Sequence, residues 1–215
     1  MAVKGQRSKS KTQSFYDRIA EVQTLAMKIS GYRDSVAEYL LSLDVEIGPD
    51  SMILDAGSGT GIVTMALQDA KFDHKKIVAL DISFNSLKLS REQFEKEKDI
   101  DSDKISALQS NILAMPFEDG TFDLVLTCGV LEYVGLDDGL SELARVTKKG
   151  GKVVLLPVRP SVVGAVLELL YNFKIHPVKR VRTIAQKYFN IVGDGKFPLT
   201  QPIAWSKMIF LLERK

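Results

Sequence analysis

The 215-residue chain is poor in the residues that build covalent or metal scaffolds, with one cysteine, Cys128, and two histidines. A lone cysteine excludes an internal disulfide, and no Cys/His cluster offers zinc a set of ligands, so no metal is expected. Charge of one sign is scarce too: 29 Lys and Arg face 27 Asp and Glu, and a net charge of +2 is too small to argue for nucleic acid. Long apolar runs are missing, because the most hydrophobic stretches, 153–158 and 162–173, are too short or too interrupted to span a bilayer. The basic start of the chain has no apolar run behind it, so no secretory leader is expected. A cytoplasmic location is the default for such a chain. There is no internal repeat. What is present, 45% hydrophobic and 26% charged residues, suits a globule with a sizeable core and the length of one α/β domain.

Residues 1–13 carry Lys4, Arg7, Lys9 and Lys11 without an acid and read as a disordered basic tail. Phe15, Ile19, Val22, Ala26 and Ile29 recur at the spacing of one helix face. Gly31 breaks that helix, and a second runs through Val36, Leu40 and Leu43 to a stop at Gly48-Pro49. Strands and helices then alternate, as in a parallel sheet: strands are expected at 52–56, 77–80, 105–108, 122–127 and 152–156. Ser83 is a natural cap for the helix through Leu87 and Phe94. A helix from Asp137-Asp138 to Lys148-Lys149 would complement its own dipole and stop at Gly150-Gly151. Five of the seven prolines lie beyond residue 156, where the alternation ceases. An apolar helix at 162–173, a basic amphipathic helix at 178–188 and closing strands near 189–192 and 206–212 are expected there.

The most informative stretch is Ile53-Leu54-Asp55-Ala56-Gly57-Ser58-Gly59-Thr60-Gly61, an apolar strand running into alternating glycines. Such a turn lets backbone approach a ligand closely. A dinucleotide fingerprint would need a third glycine where Ile62 stands. A P-loop would need Lys after its glycines, and Gly61 is followed by Ile62-Val63. Asp55 would repel a pyrophosphate but attract a cation. The turn therefore suits a nucleoside-like ligand without a phosphate chain; a glycine turn that binds nothing shares the local pattern.

Asp-x-Gly-x-Gly-x-Gly, as it stands at 55–61, resembles the first motif of class I S-adenosylmethionine-dependent methyltransferases, and the resemblance extends over about 50–157. It implies a doubly wound α/β fold, a mostly parallel seven-stranded sheet with N-terminal helices over the cofactor mouth and a helical insertion after the fifth strand. The domain would run over 14–215, with N-terminal helices at 14–48, a cofactor core at 50–157, a variable acceptor side at 158–203 and a final strand at 204–215. S-adenosyl-L-methionine is the implied cofactor, with Asp55, Gly57, Ser58, Gly59 and Gly61 in its first motif. Asp81 lies 24 residues after Gly57 at a strand end, where a carboxylate can accept ribose hydroxyls or cap the next helix. The resemblance assigns such an acid to the ribose, with Ile82 beside it. Asn111 and Ile112, ahead of Met115-Pro116-Phe117, match the segment that holds the adenine edge; an Asn there also favours a plain turn.

Phe122 to Glu132 resembles the fourth motif, whose strand end faces the transferring methyl group, and it lacks the Pro-Pro of enzymes that methylate adenine or glutamine amides. Cys128 is expected as a wall of the site, since no His stands near it to activate a thiolate. Glu132 is expected to be a surface carboxylate, with acceptor positioning or proton acceptance as the alternative. His74 is expected in solvent and His176 in a loop role. In-line displacement from a sulfonium needs alignment more than acid–base groups, so no catalytic residue is named. A small molecule, with lipid-like or anionic compounds among the candidates, is the expected methyl acceptor; RNA or protein is the alternative substrate, and a non-catalytic cofactor-binding subunit the alternative role. Five cations and no carboxylate between Lys174 and Asn190 suggest a face for an anionic substrate or a membrane surface, especially over Lys179–Lys187, or else a solvated helix. DNA is not an expected partner.

Overall fold

The structure, a computed structural model, describes residues 31–43 and 45–215. The tail at 1–13 and the helix expected at 15–29 lie outside the described residues. Gly31, at φ +63°, leads into helix α1 (Tyr32–Leu41). Ser51 then closes a tight turn onto Gly48, donating its N–H to the Gly48 carbonyl at 2.8 Å. Alternation follows in the expected order: β1 (Met52–Ala56), α2 (Ile62–Asp69), β2 (Lys76–Asp81), α3 (Phe84–Lys96), β3 (Ile105–Gln109), β4 (Phe122–Cys128), α4 (Leu136–Val146) and β5 (Thr147–Leu156). Two helices, α5 (Val162–Tyr171) and α6 (Val178–Tyr188), precede the pair β6 (Phe189–Gly195) and β7 (Ile209–Arg214).

The seven strands form one sheet in the order β3-β2-β1-β4-β5-β7-β6. The first five are parallel, while β7 runs antiparallel to both β5 and β6. Strand order reverses between β1 and β4, so a crevice opens at their carboxyl ends.

The central strands are apolar on both faces, which is why they read as continuous hydrophobic runs. Ile53, Leu124, Leu126, Val154 and Leu156 pack beneath α1 and α2 with Val36, Leu40 and Met65. Their neighbours Leu54, Val125, Val153 and Leu155 point the other way, against Leu140 and Leu143 of α4 and Val181 and Ala185 of α6. A one-residue slip would turn each set out of its layer, so the period of two locks the register.

One boundary differs from the sequence expectation. Helix α4 stops at Val146, and Lys148, Lys149, Gly150 and Gly151 belong to the strand. Thr147 turns extended and its hydroxyl donates to the Leu143 carbonyl at 2.6 Å, satisfying the helix end without the lysines. Pairing then jumps from Thr147 opposite Phe122 to Lys152 opposite Leu124, so the Lys-Lys-Gly-Gly segment bulges out of the ladder.

Arg145, in the last turn of α4, holds down the segment that links β3 to β4. Its guanidinium donates to the carbonyls of Phe117 (2.7 Å) and Met115 (3.0 Å) and forks onto Glu142. Glu142 in turn accepts from the Met115 N–H at 2.7 Å. Arg145 is the main reason the Glu142 carboxyl lies below its usual range. Its contribution to stability is therefore complete above the ordinary carboxylate range and is lost as pH falls through the lowered folded value. Arg145→Ala is expected to cost about 1–2 kcal/mol in urea unfolding, since the group is partly exposed, and to speed amide exchange over 111–120. Unchanged exchange there would contradict this role.

Candidate active site

The chain reverses sharply after β1. Gly57 takes φ +83°, and its N–H and that of Ser58 both donate to the Leu80 carbonyl at the end of β2, at 2.7 and 2.9 Å. A Cβ on Gly57 would stand 2.2 Å from a methyl of Val130, and one on Gly61 would stand 2.5 Å from the Phe94 ring. Gly59 also has positive φ, +53°, but a Cβ there would meet nothing within 4 Å. The outer glycines are thus required by packing, while the middle one presents bare backbone to open space.

Asp55 is 1% exposed. One carboxylate oxygen accepts from the Thr64 hydroxyl at 2.7 Å, and the other is buried with no partner. Burial is the main reason its carboxyl is pushed up to about 7; the Thr64 hydrogen bond opposes the shift and the charge of Asp81 adds to it. The Ser58 hydroxyl is also buried and unpaired. Asp81 accepts from the Gly59 N–H and from the Ser83 N–H, both at 2.8 Å. Ser83 caps α3 as expected, accepting from the Ser86 N–H at 3.2 Å. The carboxylate of Asp81 therefore joins the glycine turn to the start of the next helix.

Beyond Asp81, Ile82 and Phe84 are 44% and 59% exposed, an apolar lip at the strand ends. Gln109 ties the end of β3 to this lip by donating to the Ile82 carbonyl at 3.0 Å. Asn111 is exposed and its side-chain oxygen accepts from the Leu113 N–H at 3.0 Å, the turn geometry that an Asn favours. Ile112 is buried beside Met115 in the core, so its side chain is structural.

At the end of β4 the Tyr32 hydroxyl and the Cys128 thiol share a hydrogen bond. Burial pushes the Cys128 thiol up, against a nucleophilic thiolate. Two histidine and glutamate expectations part ways here. Glu132 is not a surface carboxylate: it is 5% exposed, one oxygen accepts from the Val158 N–H, and the other is buried without a partner. His74 is not in solvent either, but buried against the Phe72 carbonyl at 2.6 Å. His176 does serve its loop, meeting the Leu131 carbonyl at 3.0 Å.

Sequence reasoning missed Phe84, Tyr32 and Lys207. Phe84 opens α3 just after its cap, an exposed position for an aromatic ring, and that was a usable signal. Lys207 is 8% exposed, and its placement beside Gly129 carries no local signature.

Among the described residues, six buried side-chain atoms lack a hydrogen-bond partner, and four of them belong to Asp55, Ser58, Thr127 and Glu132. These lie at or just beyond the carboxyl ends of β1 and β4. Burying unpaired polar atoms costs free energy unless a ligand meets them. The bare Gly59 backbone, the apolar lip and an acid beside each fit a nucleoside carrying a cationic tail.

Gly57→Ala is expected to abolish S-adenosylhomocysteine binding in calorimetry, because both the methyl clash and the positive φ oppose the turn. Asp55 has a folded pKa above its unfolded value, so the folded protein holds its proton longer and loses stability as pH rises from about 4 to about 7. Asp55→Asn should therefore become more stable than the parent above pH 7, by on the order of a few kcal/mol, with the gap closing toward acid. A gap that widens toward acid in urea titrations would contradict the sign.

Residues 54–155 match the methyltransferase domain family. A demethylmenaquinone methyltransferase of Shouchella clausii is 30% identical over 187 residues, covering 86% of this chain and 75% of the relative. A Bacillus cereus protein of the same name is 34% identical over 122 residues, which span only half of that relative and 56% of this chain. The geranyl diphosphate C-methyltransferase of Streptomyces coelicolor, solved with Mg2+, geranyl diphosphate and S-adenosyl-L-homocysteine, shares the fold at a TM-score of 0.72 and 17% identity, over 96% of this chain and 98% of that one. With a relative at 30% identity matched over three quarters of its length, the chain belongs to the class I S-adenosylmethionine-dependent methyltransferases.

Proposed function

We propose that this methyltransferase acts in the cytoplasm on a small molecule with an apolar body, reached from a membrane surface. The observation that carries this reading is helix α5. Of its residues only Gly164 is buried, while Val162, Val166, Leu169 and Leu170 are between 52% and 84% exposed. Such an apolar face on a folded surface marks an interaction site. The segment after it docks at the end of β4, where Tyr133 and Phe173 stack edge to face at 5.3 Å and the Lys174 N–H donates to the Glu132 carbonyl at 3.2 Å. That contact ties the apolar helix to the rim of the strand-end crevice. The names of the S. clausii and S. coelicolor proteins, which specify demethylmenaquinone and geranyl diphosphate, support a small-molecule acceptor.

In this reading the 50–157 segment is the cofactor core and 158–203 the acceptor side. Asp55 and Ser58 meet the cationic amino-acid end of S-adenosylmethionine, Asp81 the ribose, and Ile82, Phe84 and the backbone of Asn111 and Ile112 the adenine. Cys128 walls the reacting end. Bound there, S-adenosylmethionine supplies a methyl group on a sulfonium. The protein's part is then to align the acceptor and exclude water.

The basic helix contributes less charge than its sequence suggests. Arg182 pairs with Asp194 and lies 5.3 Å over the Phe210 ring, and Lys187 pairs with Asp137 at 2.6 Å. Lys174, Lys179 and Arg180 remain exposed to meet anionic headgroups. No helix among the described residues is long and apolar enough to cross a membrane, so contact would be peripheral.

Tritiated methyl from S-adenosylmethionine is expected to enter the lipid fraction of a cell extract; label confined to RNA or protein would overturn the acceptor class. The protein should sediment with phosphatidylglycerol vesicles and be released, with its fold intact, by V166E/L169E. Equal sedimentation of parent and variant would contradict the docking role of α5.

A further inference from the structure

We propose that Glu132 and Lys207 form the acceptor half of the site, Glu132 taking the proton of an acidic enol or phenol hydroxyl and Lys207 holding the oxyanion that results. The inference rests on the methyltransferase reading above and names the chemical class of its acceptor.

A buried lysine is costly unless an anion answers it. Lys207 is 8% exposed, and among the described residues it makes no ion pair. Its Nζ rests against Gly129, where a Cβ would come within 2.5 Å, so the bare glycine after β4 gives the ammonium its seat. From there its charge reaches Cys128 at the strand end. Glu132 bears on the same thiol. Its charge also acts on Tyr32, and its second oxygen is buried and unpaired.

One residue fixes both groups. Val158 stands opposite Lys207 in an isolated antiparallel bridge and donates its N–H to the first oxygen of Glu132. The bridge is clamped on either side by the Arg159 N–H on the Ser206 carbonyl (2.7 Å) and the Met208 N–H on the Pro157 carbonyl (3.1 Å). The backbone thus holds a carboxylate and an ammonium near each other without pairing them. A hydroxylated acceptor between them completes both. Its O–H bond breaks, the proton passes to the free oxygen of Glu132, and the electron pair stays on the acceptor as an oxyanion facing Lys207. The acceptor is then a better nucleophile, and a neutral hydroxyl that cannot ionise gains nothing from the pair.

The test uses the full chain and 2-naphthol, whose anion has its own absorbance and fluorescence bands, titrated at neutral pH with and without S-adenosylhomocysteine. The parent is expected to bind 2-naphthol as the anion, and 2-methoxynaphthalene at least tenfold more weakly. K207M should weaken naphthol binding at least tenfold and abolish the anion band. E132Q keeps an oxygen for the Val158 N–H, so it should fold and bind naphthol in neutral form. Both variants should bind S-adenosylhomocysteine as the parent does. A parent without the anion band, or a K207M protein that retains it, overturns the acceptor half-site. A parent that fails to bind S-adenosylhomocysteine overturns the cofactor reading separately, because the naphtholate signal is read without it as well.

Discussion

The Leu80 carbonyl accepts two backbone hydrogen bonds, from Gly57 and from Ser58, and the geometry of the whole site follows from that pair. It bends the chain out of β1 over the end of β2, which only a residue tolerant of positive φ can follow. The same bend brings the Gly59 N–H to the carboxylate of Asp81 and lays Gly57 against Val130 beyond β4. Three neighbouring strand ends are thereby fixed to one another. Preorganisation of this kind is what an alignment-driven reaction needs from its protein.

The arrangement is held against a stability cost. Asp55 is buried with one oxygen unpaired, and Ser58, Thr127 and Glu132 each bury an unpaired atom nearby. A core chosen for stability alone would put apolar groups at these positions. Stability is recovered elsewhere, in strands that are apolar on both faces and in charged ties at the periphery such as Arg145 with Glu142 and Arg33 with Asp69. Polar groups that break local rules tend to mark function, and here they gather at the carboxyl ends of β1 and β4.

Much of this was legible in the sequence. β1 and β4 were plain because a strand buried on both faces is a short apolar run bounded by turn residues, and Gly57, Gly59 and Gly61 announced the turn between strand and helix. The Ser83 cap was legible because capping is local. What could not be read depended on distant partners. The end of α4 turned on a hydroxyl of Thr147 that replaced the lysines. Glu132 is met by the Val158 N–H and Lys207 lies against Gly129, each far along the chain. The basic helix looked free because Asp137 and Asp194, which neutralise two of its cations, lie outside the segment. Local pattern reveals elements and turns, whereas the state of a buried charge is set by tertiary contact.

A cation seated at the carboxyl end of β1 must draw the proton from Asp55, whose carboxyl burial pushes up to about 7. Calorimetric titration of S-adenosylmethionine near pH 6, in two buffers of different ionisation enthalpy, measures this directly. Release of up to one proton on binding, lost in Asp55→Asn, is the expected result. Binding with no proton release, or release that survives in Asp55→Asn, would contradict the placement of the cationic cofactor at this strand end.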